Sequence, residues 1–137
     1  MRPAVAPVVL VCEHGNVKSL IGASLFDEVA SQRGLPFRAV SRGVTPEVSV
    51  PPKIAAALRG EGIDVANFKP QRLTSLDVSG ALRVVAIGVD LTSFSAAAHA
   101  PIEEWVDVPP ASIDYAAARA ALLRHIDALL DSLQAKQ

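Results

Sequence analysis

An uninterrupted apolar run, Val8-Val9-Leu10-Val11, ends in the chain's only cysteine, Cys12, and passes at once into the short polar stretch Glu13-His14-Gly15-Asn16-Val17-Lys18-Ser19. A run with no polar alternation is what a central parallel strand covered on both faces requires. Such a strand needs helices on both sides of its sheet, which constrains the remaining chain to an α/β arrangement. The polar stretch is the strand-to-helix turn. Gly15 and Asn16 tolerate backbone angles that other residues resist, and Ser19 begins a helix whose free N–H groups point back at the loop. An anion or a thiolate gains stability there, and the thiolate is the nucleophilic form of cysteine.

The rest of the chain supplies the alternation that such a sheet needs. Ile21, Leu25 and Val29, with Ala23, Phe26 and Ala30, recur at helical spacing until Gly34-Leu35-Pro36 stops them. Phe37–Ser41 reads as a second strand, and Pro51-Pro52 opens a helix through Ile54, Ala55 and Leu58 that ends at Gly60 or Gly62. A short helix near Thr74–Val78 has Thr74 as its N-cap. Arg83–Gly88 reads as the third strand and Glu104–Val108 as the fourth. Leu122, Leu123, Ile126, Leu129, Leu130 and Leu133 form the stripe of a final helix. The expected fold is an α/β doubly wound four-stranded parallel sheet flanked by helices, a single domain over residues 1–137, with the first loop at the carboxyl edge of the sheet.

At 137 residues the chain is long enough for one substantial core. Its 50% apolar and 20% charged residues are the balance of a globular chain, and a net charge of -1 leaves nothing basic enough to track a nucleic-acid backbone. Val8–Cys12 stops at Glu13 and Val84–Val89 stops at Asp90, so no apolar stretch approaches a membrane span. The segment Met1-Arg2-Pro3-Ala4-Val5-Ala6-Pro7 is too short and proline-broken for a secretory leader. A cytoplasmic location is expected, and a single cysteine excludes an intramolecular disulfide.

Cysteine, five residues, a cation and then a hydroxyl residue, placed after the first strand, resembles the low-molecular-weight protein tyrosine phosphatase family and its arsenate reductase branch. The family's loop is C-x5-R-S. The resemblance implies that backbone amides and the cation hold an oxyanion while the cysteine attacks phosphorus or arsenic. It extends through Gly62-Ile63-Asp64, Leu73-Thr74, the strand Val84–Gly88 and the segment Trp105–Ala111, where the family carries an Asp-Pro general acid. Two departures stand out. Lys18 occupies the arginine position, supplying charge without a bidentate fork, and Trp105-Val106-Asp107-Val108-Pro109-Pro110 contains an aspartate but no Asp-Pro pair.

Residue by residue, bland readings compete with functional ones. Cys12 is either a small buried hydrophobe at a strand end or a functional thiol, and the loop chemistry favours the thiol. Lys18 in a first helical turn is electrostatically misplaced unless an anion shares the site. Ser19 is a helix-start residue and, by the resemblance, a hydroxyl donor to the thiolate. Asn16 serves the loop's backbone. His14 is either an exposed loop histidine or a local acid, histidine being the side chain that changes charge near neutral pH. His99 and His125 read as solvated. Arg42 is either a surface arginine or a guanidinium aimed at the anion, and Asp90 either lines the same sheet edge or closes a turn. Cys12 and His14 alone do not make a metal site.

The leading expectation is a hydrolase in which Cys12 attacks a phosphate monoester, with phosphotyrosine foremost. Glu13, His14, Gly15, Asn16, Val17, Lys18 and Ser19 bind the oxyanion, and Cys12, Lys18 and Asp107 carry the catalysis. No metal or cofactor is expected. Two rivals stand beside it. One is an arsenate reductase, which with a single cysteine needs an external thiol donor. The other is a non-catalytic protein that binds an oxyanion or a phosphoprotein. Aromatic content of 4% leaves Tyr115 and Trp105 as the candidates for a phosphotyrosine-clasping wall.

Overall fold

A computed structural model describes residues 5–136; residues 1–4, the start of the segment read above as too short for a leader, lie outside the described residues. In chain order the elements are β1 (Val8–Cys12), α1 (Lys18–Gln32), β2 (Ala39–Gly43), α2 (Pro52–Gly60), α3 (Ser75–Ser79), β3 (Arg83–Ile87), a 3-10 turn (Thr92–Ala97), β4 (Glu103–Trp105) and α4 (Tyr115–Ala135). The strands form one parallel sheet in the order β2-β1-β3-β4. The expected α/β architecture is therefore the observed one. β1, the strand with the unbroken apolar run, is buried along its whole length.

β3 ends at Ile87, one residue before its expected end at Gly88, and β2 and β4 also depart from their expected bounds. β2 pairs with β1 only from Ala39, which lies opposite Val8, and it continues to Gly43 opposite Cys12. β4 stops at Trp105, because Val106 turns out to solvent at 81% exposure and Pro109-Pro110 have no N–H to continue a ladder.

The pleat divides the core in two. Val8, Leu10 and Cys12 project to one face, where Val85 and Ile87 join them against α1, α2 and α4. Val9 and Val11 project to the other with Val84 and Ala86, against Val78 of α3 and Leu91. α1 lies close on the sheet. A Cβ added at Gly22 would come within 3.0 Å of Leu10 Cδ1, so the missing side chain sets the helix-to-strand distance. At its far end α1 closes on Gly34, whose φ of 70° lets Leu35 N bond back to Ala30 O at 2.9 Å. Among the described residues no helix is long and apolar enough to cross a membrane.

Candidate active site

The loop between β1 and α1 is held from outside by the segment that follows β2. Cys12 O accepts from Val44 N at 3.2 Å, Glu13 O from Thr45 N at 2.8 Å and His14 O from Glu47 N at 3.1 Å. Gly15 O accepts from the Ser41 hydroxyl at 3.3 Å. In a trans peptide the C=O and the following N–H point in opposite directions. Each outward carbonyl therefore turns the next N–H inward, from Glu13 through Asn16. Among the described residues none of these N–H groups has a backbone acceptor. α1 adds its own free N–H groups: its N-cap is Val17, with no capping side chain, and its first turn holds no acidic residue.

Two glycines make this arrangement possible. Gly15 has a φ of 66°, and a Cβ there would lie 2.8 Å from Gly43 N; a Cβ on Gly43 would lie 2.7 Å from Gly15 N. The loop thus crosses the end of β2 backbone against backbone. Asn16, buried, fixes the far side of the loop by donating Nδ2 to Ser49 O at 2.9 Å.

Cys12 lies at the floor, 7% exposed. Its Sγ is 3.0 Å from Ser19 Oγ and accepts Ser19 N at 3.4 Å, and Ser19 Oγ is 2.7 Å from Ser41 Oγ. Strand parity explains why Ser41 is there: it pairs with Leu10, so it shares the face to which Cys12 projects. The same parity removes Arg42. Arg42 pairs with Val11 on the opposite face, where Nε meets Asp77 Oδ2 at 3.2 Å. Asp77 also accepts from Thr74 N, completing the capping box of α3. Arg42 is thus a structural link between β2 and α3, and the reading that aims it at an anion is set aside.

The open space above Cys12 is a cleft of about 210 Å³, lined by Cys12, Glu13, His14, Asn16, Val17 and Lys18 from the loop, Ile87 and Gly88 from the end of β3, and Pro110, Ala111 and Ser112 from the far wall. A shallower groove bounded by Glu47, Val48, Ser49 and Pro51 continues from it past His14. The Lys18 ammonium lies over Gly88, 3.6 Å from where a Cβ would stand. Among the described residues it forms no ion pair. Gly15 and Ser19 lie behind the lining and support it.

Asp107 does not face this cleft. Its carboxylate is bound by His125 Nε2 at 2.5 Å and lies 3.6 Å from Arg124 Nη2. The hydrogen bond from His125 holds the Asp107 carboxyl below the usual carboxylate range. His125, read from sequence as solvated, is half-buried and stacked on Trp105 with ring centroids 4.8 Å apart. Trp105 itself is 1% exposed, and the Tyr115 hydroxyl donates to Glu61 Oε2 at 2.6 Å. Burial and that carboxylate push the Tyr115 phenol up. Neither ring lines the cleft, so the expected aromatic wall is absent from it. Asp90 closes a turn on Thr92 and lines a separate cavity of about 240 Å³. His99 is exposed. Among the described residues no group of three His, Cys, Asp or Glu side chains is gathered as a metal site.

Ser41, Gly43, Gly88 and Ser112 were not singled out as site residues in the sequence, and Pro110 and Ala111 entered only as part of the segment Trp105–Ala111. The signal for Ser41 was a hydroxyl that follows Ala39-Val40 near a strand's carboxyl end; the others required knowing which loops meet.

No family model matches the sequence, and no curated protein matches it. Solved structures do. YfkJ from Bacillus subtilis superposes with a TM-score of 0.81 at 18% identity, covering 100% of this chain and 99% of that one. A thioredoxin-dependent arsenate reductase from Corynebacterium glutamicum gives 0.78 at 22% identity, over 100% of this chain and 66% of that one. A low-molecular-weight phosphotyrosine phosphatase from Vibrio cholerae O395 gives 0.69 at 16% identity, covering 95% and 97%. The chain has the fold of these three proteins.

Proposed function

We propose that the chain is a cysteine-dependent phosphatase that acts on phosphate monoesters. One observation carries the reading. The carbonyls of Cys12 through Gly15 are each tied away from the cleft, which turns the N–H groups that follow them toward the side of the chain's only thiol, beside an ammonium that forms no ion pair among the described residues. Such a concavity fits a tetrahedral dianion.

In this reading the Cys12 thiolate, whose sulfur accepts the Ser19 backbone N–H, attacks phosphorus and forms a phosphocysteine that water then hydrolyses. The loop amides and Lys18 stabilise the equatorial oxygens as charge develops. Lysine acts as a point charge, leaving directional recognition to the N–H groups. Asp107, held by His125 and Arg124, has no part in the chemistry. The cleft has no aromatic wall, so a phosphate monoester is the substrate class and phosphotyrosine is not singled out within it. The oxyanion contacts would hold arsenate equally well, and a chain with one thiol would need an external thiol donor to release the reduced product.

The test is a single preparation assayed three ways beside Cys12→Ser. Hydrolysis of aryl phosphates, arsenate reduction with added thiols, and protection of Cys12 from iodoacetamide by phosphate are measured together. Ester turnover that is lost in Cys12→Ser, with phosphate protecting the parent's thiol, is the expected result. Arsenate turnover alone would favour the reductase, and protection with neither activity would leave a binding protein. No protection and no turnover would sink every reading of the site.

A further inference from the structure

With Asp107 outside the cleft, the reaction above lacks a proton donor for the leaving oxygen, and the residues that line the cleft narrow the choice. Cys12 is the nucleophile, Lys18 the counter-charge, and Asn16 is committed to Ser49 O. Glu13 turns its carboxylate to Thr45 Oγ1 at 2.6 Å. His14 remains. It lines both the cleft and the groove beside it, and it is half exposed.

The ring is fixed at one nitrogen only. Nδ1 lies 3.1 Å from Thr45 O and 3.6 Å from Glu47 Oε1. A carbonyl oxygen only accepts, so Nδ1 carries a hydrogen and Nε2 is the nitrogen left to gain or lose a proton. Among the described residues Nε2 has no hydrogen-bond partner. Thr45 is itself held in place, because its N–H donates to Glu13 O within the same loop. A carboxylate behind an imidazole whose other nitrogen is free is the arrangement of an oriented acid–base group.

We propose that His14, oriented by Thr45 and Glu47, is the proton donor and acceptor of the reaction. The role rests on the phosphatase reading. In the first step the Cys12 sulfur bonds to phosphorus, the P–O ester bond breaks, and His14 Nε2–H passes its proton to the departing oxygen. In the second, water attacks phosphorus and gives a proton to Nε2, the S–P bond breaks, and orthophosphate leaves with the thiolate restored. The charged groups around the ring are Glu47 behind it and Glu13, Cys12 and Lys18, which share the cleft. Asp107 fits the opposite role: a carboxyl held ionised by His125 has no proton to give.

The experiment measures kcat/KM against pH for a series of aryl phosphates running from nitrophenyl to phenyl, using the full chain, His14→Gln, Glu47→Gln and Asp107→Asn. The parent should lose activity at high pH as the acid deprotonates. His14→Gln should lack that descending limb and fall by about 10²- to 10⁴-fold on phenyl phosphate, with a much smaller loss on the nitrophenyl ester, whose leaving group needs no proton. Glu47→Gln should lower kcat/KM more on phenyl phosphate than on the nitrophenyl ester, a leaving-group dependence that a merely structural role would not produce. Asp107→Asn should keep the parent's leaving-group dependence. Phosphate protection of Cys12 from alkylation reports that each variant's site is intact. Parent turnover combined with an unchanged limb and unchanged leaving-group dependence in His14→Gln overturns the role of His14 alone. The same collapse in Asp107→Asn overturns it as well, and a parent without ester turnover overturns the phosphatase reading and this role together.

Discussion

Ser41 and Ser19 form a buried hydroxyl pair, their oxygens 2.7 Å apart, and each also touches one element of the loop: Ser19 the Cys12 sulfur and Ser41 the Gly15 carbonyl. Each hydroxyl has one hydrogen to give. If Ser41 donates to Gly15 O, Ser19 must donate to Ser41, and Cys12 supplies its own hydrogen as a thiol. If Ser41 donates to Ser19, the Ser19 hydrogen is free for a thiolate. The charge on sulfur is thus coupled to the direction of a serine pair.

It follows that Ser19→Ala should slow alkylation of Cys12 by about 10- to 100-fold at pH 6, the range expected for a hydrogen bond to a charged group worth about 1.5–3 kcal/mol. Ser41→Ala acts only through orientation and should slow it by less than about tenfold. Equal rates for Ser19→Ala and the parent across the pH range would break the link between this hydroxyl and the thiolate.

Lys18, which forms no ion pair among the described residues, lies over Gly88. Lys18→Ala should cost about 2–4 kcal/mol in kcat/KM toward aryl phosphates, with weaker phosphate protection of Cys12. Lys18→Arg tests the shape of the site: a larger planar group above Gly88 should lower activity if the cleft is built around an ammonium. A rise in turnover would mean that the fork geometry is what the loop lacks.

Gly15→Ala and Gly34→Ala separate backbone strain from collision. Both glycines have positive φ, 66° and 70°, but only Gly15 would place its new Cβ against Gly43, whereas Gly34 has nothing within 4 Å. Gly34→Ala should cost about 1 kcal/mol. Gly15→Ala should cost roughly 3 kcal/mol or more, since the neighbouring atoms are backbone that cannot turn aside. Thermal melts of the two variants check the order, and equal losses would rule out the collision.

The Asp107–His125 pair makes a pH-dependent contribution whose sign is fixed. The Asp107 carboxyl is held below its ordinary value of 3.8, so its contribution is present above that value and disappears as the pH falls through the lower folded one. Asp107→Asn should therefore be less stable than the parent at pH 7, with the gap closing in strong acid. Urea melts followed by the fluorescence of Trp105, which stacks on His125, measure the difference. A gap of the same size at pH 7 and in strong acid would exclude the charged Asp107 carboxylate as its cause.

What could be read in advance followed from local rules. The apolar run Val8–Val11 dictated a central strand, and Thr74 an N-cap. What escaped depended on parity and contact between distant segments. Arg42 follows Ser41 by one residue, yet the pleat places them on opposite faces, and a strand drawn as ending at Ser41 hides that difference. Asp107 was assigned by its place in the chain, while its orientation was decided by His125 and Arg124 on α4. Trp105 looked available for a ligand because aromatics are scarce, but burying a ring that large at the end of β4 was the stronger demand.

The crossing of Gly15 and Gly43 leaves this protein with a point that has no mutational escape. In most tightly packed pairs a residue that grows can be accommodated by a neighbour that shrinks. Here both partners are already reduced to a hydrogen atom, so neither has anything left to give up. Drift can alter the identity of the cation, the acid and the cleft's far wall while this junction stays fixed. Searches for distant relatives that differ at Lys18 or Asp107 should therefore be anchored on the two glycines and on the spacing between them.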